Sequence, residues 1–177
     1  EGVDAAWHGS IENDGFNHVF DFAPLLQSGK YFLSGEAGLL MVGDIEQEVG
    51  KKVETVPWEG SFFTIIDAAD GSVVMGGLRG RMFRSADAGA TWTAVNKPLT
   101  SAIVDSTRLS DGRLVMAGIG GELLMSTDNG ASFAPIPVTG PGQVYTDEGR
   151  IYAVAEGLPG TLLVGGPTGI SKLKLPQ

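Results

Sequence analysis

Ser85-Ala86-Asp87-Ala88-Gly89-Ala90-Thr91-Trp92 is answered 41 residues later by Ser126-Thr127-Asp128-Asn129-Gly130-Ala131-Ser132-Phe133. Both copies obey one pattern, S-x-D-x-G-x-[ST]-aromatic. That spacing describes a turn. An aspartate can accept N–H bonds from its own loop. The glycine supplies the positive φ that a tight turn needs. The aromatic residue that follows Thr91 or Ser132 is suited to filling space beside a neighbouring sheet. Asp87 and Asp128 therefore read as residues that hold turns and do no catalysis. Ser85, Gly89, Thr91, Trp92, Ser126, Gly130, Ser132 and Phe133 read as their structural partners.

Working outward, the register continues. Gly-x-x-Gly pairs stand at 35/38, 77/80, 118/121 and 166/169, with steps of 42, 41 and 48 residues. The longer last step suggests an insertion, which the sequence places at 152–159. Each pair follows a short apolar run, and in two units an Asp-Gly hairpin signal precedes that run, at Asp70-Gly71 and Asp111-Gly112. A period of about 40–45 residues with short strands is the spacing of four-stranded propeller blades.

The second unit parses into strands A to D at 62–67, 73–76, 81–85 and 91–95. The third parses at 103–109, 114–117, 122–126 and 132–136. Gly and Pro interrupt every window long enough for a helix. The expectation is an all-β chain: a partial β-propeller of about four blades of four antiparallel strands. It is one segment over 1–177, with approximate blades at 17–58, 59–99, 100–140 and 141–177. The first and fourth units lack the aspartate motif. Val42-Gly43-Asp44-Ile45 and Ser171-Lys172-Leu173-Lys174 stand in its place.

The duplicated motif resembles the Asp-box of BNR-repeat proteins. Gly76-Gly77-Leu78-Arg79-Gly80-Arg81-Met82-Phe83-Arg84, running directly into Ser85, resembles most the strings of the YCF48-like photosystem II assembly factors. The third unit repeats the string from Gly118 to Phe133 with weaker residues. The resemblance implies a ring of about seven blades, of which four units supply little more than half. It thus implies a C-terminal portion, with a missing N-terminal half or a homodimer completing the ring; a closed ring of four blades is the less common alternative. It also implies an extracytoplasmic (periplasmic or secreted) scaffold that binds a protein or peptide and helps a membrane complex assemble. No signal for export is visible in the chain itself.

Bulk properties narrow the partners. The chain has 177 residues, a formal charge of −9, 19% charged residues and no cysteine. The acidic balance argues against a nucleic-acid groove and against docking on an anionic membrane surface. Without cysteine there is no disulfide and no thiolate metal site. No apolar run approaches the roughly 18 residues of a spanning helix, so direct membrane insertion is not expected. No cofactor or metal motif is present.

Blade geometry places the A–B and C–D turns on one rim, and the B–C turns and D–A connections on the other. The aspartate motifs occupy the first rim. In Asp-box propellers the binding face is the opposite one, and the resemblance implies the same here. The candidates on that rim are Glu36 and Arg79 from B–C turns, and Trp58, Glu59, Asn96 and Lys97 from D–A connections, along with Thr139 and Gln143. Trp58 and Arg79 lead, because their residue types are enriched in binding hot spots. The competing readings are an indole packed between blades and an arginine simply in solvent.

The rival function is a BNR-repeat glycosyl hydrolase, sialidase-like, or a glycan-binding module. Sialidase chemistry needs an arginine triad and a Tyr/Glu nucleophile pair. Three of the six arginines crowd at Arg79, Arg81 and Arg84, and nothing marks Tyr145 and Glu148 as such a pair. A general pair of carboxylates from Glu36, Glu59 and Glu156 is the other enzymatic option.

Overall fold

The computed structural model describes residues 17–25, 28–44, 50–56, 58–96, 99–136 and 149–176. It is all-β, as a partial propeller. The first sheet runs β1 (Val19–Leu25), β2 (Lys30–Gly35), β3 (Leu40–Asp44) and β4 (Gly50–Lys52). The second has β5 (Phe62–Asp67), β6 (Val73–Gly77), β7 (Met82–Ser85) and β8 (Thr93–Ala94). The third has β9 (Ile103–Arg108), β10 (Leu114–Gly118), β11 (Leu123–Ser126) and β12 (Ala134–Pro135). The fourth has β13 (Ala153–Glu156), β14 (Thr161–Gly166) and β15 (Gly169–Lys174). Each sheet is an antiparallel meander in chain order. The last has three strands among the described residues, where the repeat led us to expect four.

The sequence placed the insertion of the long fourth step at 152–159. That is incorrect. Residues 153–156 are strand β13, and the turn after them closes on Gly160, whose φ is +77°. The extra length lies earlier: β9 begins at 103 after β8 ends at 94, whereas β13 begins at 153 after β12 ends at 135.

β1, β5, β9 and β13 lie side by side as the innermost strands. Both faces of the middle sheets are buried, so their strands read as continuous apolar runs rather than as alternation. One core lies between the first and second sheets, around Phe32, Leu40, Met75 and Phe83. A second, around Val74, Met82, Leu114 and Met116, joins the second and third. A third, around Val115, Leu123, Val154 and Leu162, joins the third and fourth.

The aspartate motifs behave as C–D turns. Asp87 Oδ1 accepts the Thr91 amide at 2.8 Å and the Ser85 hydroxyl at 2.8 Å, and Oδ2 accepts the Thr91 hydroxyl at 2.5 Å. The Ser85 hydroxyl in turn accepts the buried Gly89 amide at 2.8 Å. Asp128, Ser126, Gly130 and Ser132 repeat every one of these bonds. φ is positive at both central residues, Ala88 and Gly89 in one copy and Asn129 and Gly130 in the other, as a type I′ turn demands.

Each turn grips the preceding sheet. Trp92 packs edge-on to Phe32 at 6.1 Å. The Thr55 hydroxyl donates to the Gly89 carbonyl at 3.3 Å. Arg84 Nε and the Ser72 hydroxyl donate to the Asn129 carbonyl at 2.8 and 3.2 Å.

Candidate functional site

The rim opposite those turns is assembled from backbone upward. In the first three sheets the first residue of the B–C turn is tied to the residue that precedes the innermost strand. Glu36 N donates to His18 O at 2.9 Å, Leu78 N to Ser61 O at 3.0 Å and Ile119 N to Ala102 O at 2.8 Å. The last glycine of the turn lies against the connection to the next sheet. A Cβ on Gly38 would meet the Trp58 carbonyl oxygen at 3.1 Å, and one on Gly80 would meet the Leu99 oxygen at 2.6 Å. B–C turns and D–A connections therefore interlock on one rim. The first two turns are one-turn 3₁₀ segments, Glu36–Gly38 and Leu78–Gly80, in which Ala37 and Arg79 carry positive φ of 51° and 56°. They are hairpin turns and not helices.

The candidates have different fates on this rim. Arg79 is exposed and has no ion-pair partner among the described residues. Glu36 contacts His18 Nδ1 at 3.0 Å. Hydrogen bonds from the His18 ring and backbone hold the Glu36 carboxyl below its ordinary range. Glu59 and Asn96 are exposed. Trp58 is half-buried and folds back over Gly60, with its ring 5.3 Å from Phe62 and against the first core. It acts chiefly as a packing residue that shows one edge to solvent. Lys97, Thr139, Gln143, Tyr145 and Glu148 lie outside the described residues.

Two features of the site went unread in the sequence. The first is a β-bulge in each of the three leading innermost strands, at Phe20, Phe63 and Val104. A bulge re-aims its side chain. Phe20 is exposed and its ring meets Phe63 at 5.2 Å. The signal was the first glycine of each Gly-x-x-Gly pair. The bulge brings a carbonyl so close that a Cβ on Gly35 or Gly77 would lie 2.2 or 2.1 Å from it. Exposed Leu78 and Ile119, at the heads of their turns, extend the apolar character of the rim.

The second is a polar belt deeper along the same strands. Asp21 Oδ2 accepts the Thr64 hydroxyl at 2.9 Å and the Ile65 amide at 2.8 Å. Thr64 and Ser106 hydroxyls meet at 2.6 Å, and Asp105 Oδ2 accepts the Val154 amide at 2.7 Å. Asp21, Thr64 and Asp105 occupy one column of the repeat, and each reaches to the next innermost strand. Burial, followed by the negative charge of Asp21, pushes the Asp105 carboxyl above its ordinary range. These acids are engaged with backbone and hydroxyl donors.

Of the carboxylates weighed for hydrolysis, Glu36 and Glu59 share one rim, the Glu36 turn lying against the Glu59 connection, and Glu156 stands apart from both. Glu36 contacts His18 on the rim of B–C turns. Glu156, at the opposite end of its strand, accepts the Ser110 amide and hydroxyl at 2.7 and 2.9 Å. Among the described residues no three His, Asp or Glu side chains gather as metal ligands, and no helix is long and apolar enough to cross a membrane.

No family model and no curated protein matches the chain. Solved structures do. The computationally designed Ika4 protein matches with a TM-score of 0.67 at 13% identity, covering 94% of this chain and 96% of that one. YCF48 bound to a D1 peptide matches with a TM-score of 0.56 at 16% identity, covering 89% of this chain. The match takes in 53% of the YCF48 chain, about half its length. At these identities the likeness concerns the fold.

Proposed function

We propose that this chain is a non-catalytic, extracytoplasmic propeller scaffold whose rim of B–C turns and D–A connections binds an extended peptide or protein segment, in the service of assembling or stabilising a membrane complex. The observation that carries the reading is the rim itself. Exposed Leu78 and Ile119, and Arg79 with no ion-pair partner among the described residues, stand on turns tied by repeated backbone bonds, and exposed Phe20 stands at the bulge of β1. An aromatic and an arginine amid aliphatic contacts are the usual makings of a binding hot spot. The fold is shared with YCF48, whose solved structure holds a D1 peptide. The engagement of Glu36 with His18 and of Glu156 with Ser110 supports a non-catalytic role for those two acids.

The test is selection of a phage-displayed peptide library on the protein, followed by titration of the enriched peptides. Leu78→Asp combined with Arg79→Glu is expected to weaken them at least tenfold while circular dichroism and the unfolding midpoint stay near wild type. Peptides that bind the double variant equally well, or turnover of fluorogenic sialosides or other glycosides by the wild type, would overturn the reading.

A further inference from the structure

The sulfur of this chain is confined to five methionines, Met41, Met75, Met82, Met116 and Met125, and there is no cysteine. Thioether sulfur is then the group that mild two-electron oxidants attack. Four of the five are shielded. Met41, Met75 and Met116 are fully buried, and Met82 is 1% exposed. Met75 belongs to the first core and Met82 and Met116 to the second, while Met41 packs with Tyr31, Leu33 and Leu39. Met125, on β11, is half-buried and packs against the third core.

The repeat shows what Met125 replaces. It stands opposite Val115 as Arg84 stands opposite Val74, so it holds the position of Arg84 one unit on. In the second sheet Arg84 pairs with the hairpin aspartate, Asp70, at 2.9 Å. In the third the hairpin aspartate is Asp111, and its cation comes from the hairpin itself. Arg113 Nε and Nη2 reach Asp111 Oδ2 at 2.8 and 2.7 Å. A guanidinium therefore still serves the aspartate, while a thioether takes the strand position. Arg113 Nη1 donates to Met125 Sδ at 3.4 Å and to the Pro176 carbonyl at 3.3 Å. A thioether is a weak acceptor. A sulfoxide oxygen is a polar group that costs stability when it is buried without a donor. The least shielded sulfur of the chain already has an N–H donor beside it, held in place by the ion pair with Asp111.

We infer that Met125 is a modification site: the methionine that peroxide oxidises first, with Arg113 receiving the sulfoxide so that the fold survives. In the step, a lone pair on Met125 Sδ attacks one peroxide oxygen. The S–O bond forms as the O–O bond breaks. The departing hydroxide takes the proton of the transferred oxygen and leaves as water. Sulfur loses two electrons and the peroxide gains two. The new oxygen turns toward Arg113 Nη1 by rotation of the flexible methionine side chain and exchanges a weak sulfur contact for a charge-assisted hydrogen bond. The site adjoins the A–B and C–D turns of the third sheet, on the opposite side from the rim of the proposed function, and each can fail without the other.

The test exposes the full chain to hydrogen peroxide at pH 7 and follows oxygen addition by mass spectrometry of the intact protein and of its peptides. The first oxygen is expected at Met125, at least tenfold faster than at any of the other four methionines. Met125→Leu should abolish that fast addition. The midpoint of thermal unfolding is then read for each protein before and after the single oxidation, so that the cost of a substitution itself does not enter. Oxidation should lower the wild-type midpoint by no more than about 4 °C, the order of one weak interaction in a chain of this size. In Arg113→Ala the drop should be at least twice as large, and Arg113→Lys, which keeps a donor, should reduce it again. Oxidation of a buried methionine as fast as Met125 would overturn the inference. So would a Met125 that reacts only as the chain unfolds, loss of the cooperative transition in oxidised wild type, or equal drops in wild type and Arg113→Ala. The first two readings stand on wild type and Met125→Leu alone and decide the matter even where an Arg113 variant does not fold.

Discussion

The third and fourth sheets are built on the same meander, and one is closed where the other is open. On the third sheet Val115 and Leu123 face onward into a core and are buried. On the fourth, Leu163 and Ile170 hold the same positions and are exposed to 37% and 78%. The third sheet carries a full aspartate turn that leans on the sheet before it. In the fourth, Ser171-Lys172-Leu173-Lys174, which the sequence reading sets at that place, lie within strand β15 instead. The difference teaches where stability and availability reside. A unit with neighbours on both faces buries the apolar residues of both, and a unit with a neighbour on one face among the described residues leaves those of the other exposed.

That contrast can be broken by truncation. Leu123→Ala should cost about 3 kcal/mol, the ordinary loss for a large aliphatic side chain removed from a close-packed core. Ile170→Ala in the isolated chain should change stability by no more than about 0.5 kcal/mol, as exposed substitutions do. Urea unfolding of the two variants beside wild type checks both. A large cost at Ile170 would mean that its face is covered.

A second pair sharpens the comparison at the turns. Gly130 and Gly160 have nearly the same φ, +78° and +77°. A Cβ on Gly130 would sit 2.2 Å from Val74 Cγ2, whereas one on Gly160 meets nothing within 4 Å. Gly160→Ala should therefore cost about 1–2 kcal/mol of backbone strain alone. Gly130→Ala should add about 1–3 kcal/mol of overpacking to that strain. Equal costs, read from the same unfolding curves, would deny that the third sheet's turn presses on its neighbour.

The smallest expected effects are in pH dependence, and two aspartates should act with opposite sign. The Thr91 hydroxyl and amide and the Ser85 hydroxyl hold the Asp87 carboxyl down at about 2. Its contribution is present above the unfolded carboxylate value of about 3.9 and is lost as pH falls through the folded value. Burial raises the Asp105 carboxyl, so its contribution is complete below the unfolded value and is lost as pH rises through the folded one. Asp87→Asn should lose stability at pH 7 and converge with wild type near pH 2. Asp105→Asn, which retains an acceptor for the Val154 amide, should be neutral or stabilising at pH 7. Unfolding midpoints from pH 7 to 2 check the signs.

Much of the fold could be read from the chain because the repeat is periodic. Strand β5 matches the sequence reading at both ends, and β6, β7, β9, β10 and β11 match within a residue. The fourth strands were read too long, since backbone pairing is confined to Thr93–Ala94 and Ala134–Pro135. In the aspartate turns the amide accepted by each aspartate and the positive φ of each glycine were legible because their chemistry is local, whereas the serine and threonine hydroxyl bonds were not read. The site was less legible because it depends on contacts between units. Trp58 could have faced solvent or Phe62, and only the packing of the first core decides it. The bulges at Phe20, Phe63 and Val104 leave no local signature beyond the glycine opposite. The belt of Asp21, Thr64 and Asp105 becomes visible only when the innermost strands are aligned as one column.

The claim on which the rest depends is that consecutive units are equivalent sheets, with the two aspartate turns fastening each sheet to the one before it. Native-state hydrogen exchange reads this directly, because the buried Gly89 and Gly130 amides both donate to a serine hydroxyl inside their turns at 2.8 Å. The account predicts that these two amides exchange only with global unfolding and at matching free energies, while amides on the outer edge of β15 exchange freely in the isolated chain. Rapid exchange at Gly89 or Gly130, or clearly unequal protection of the two, would contradict it.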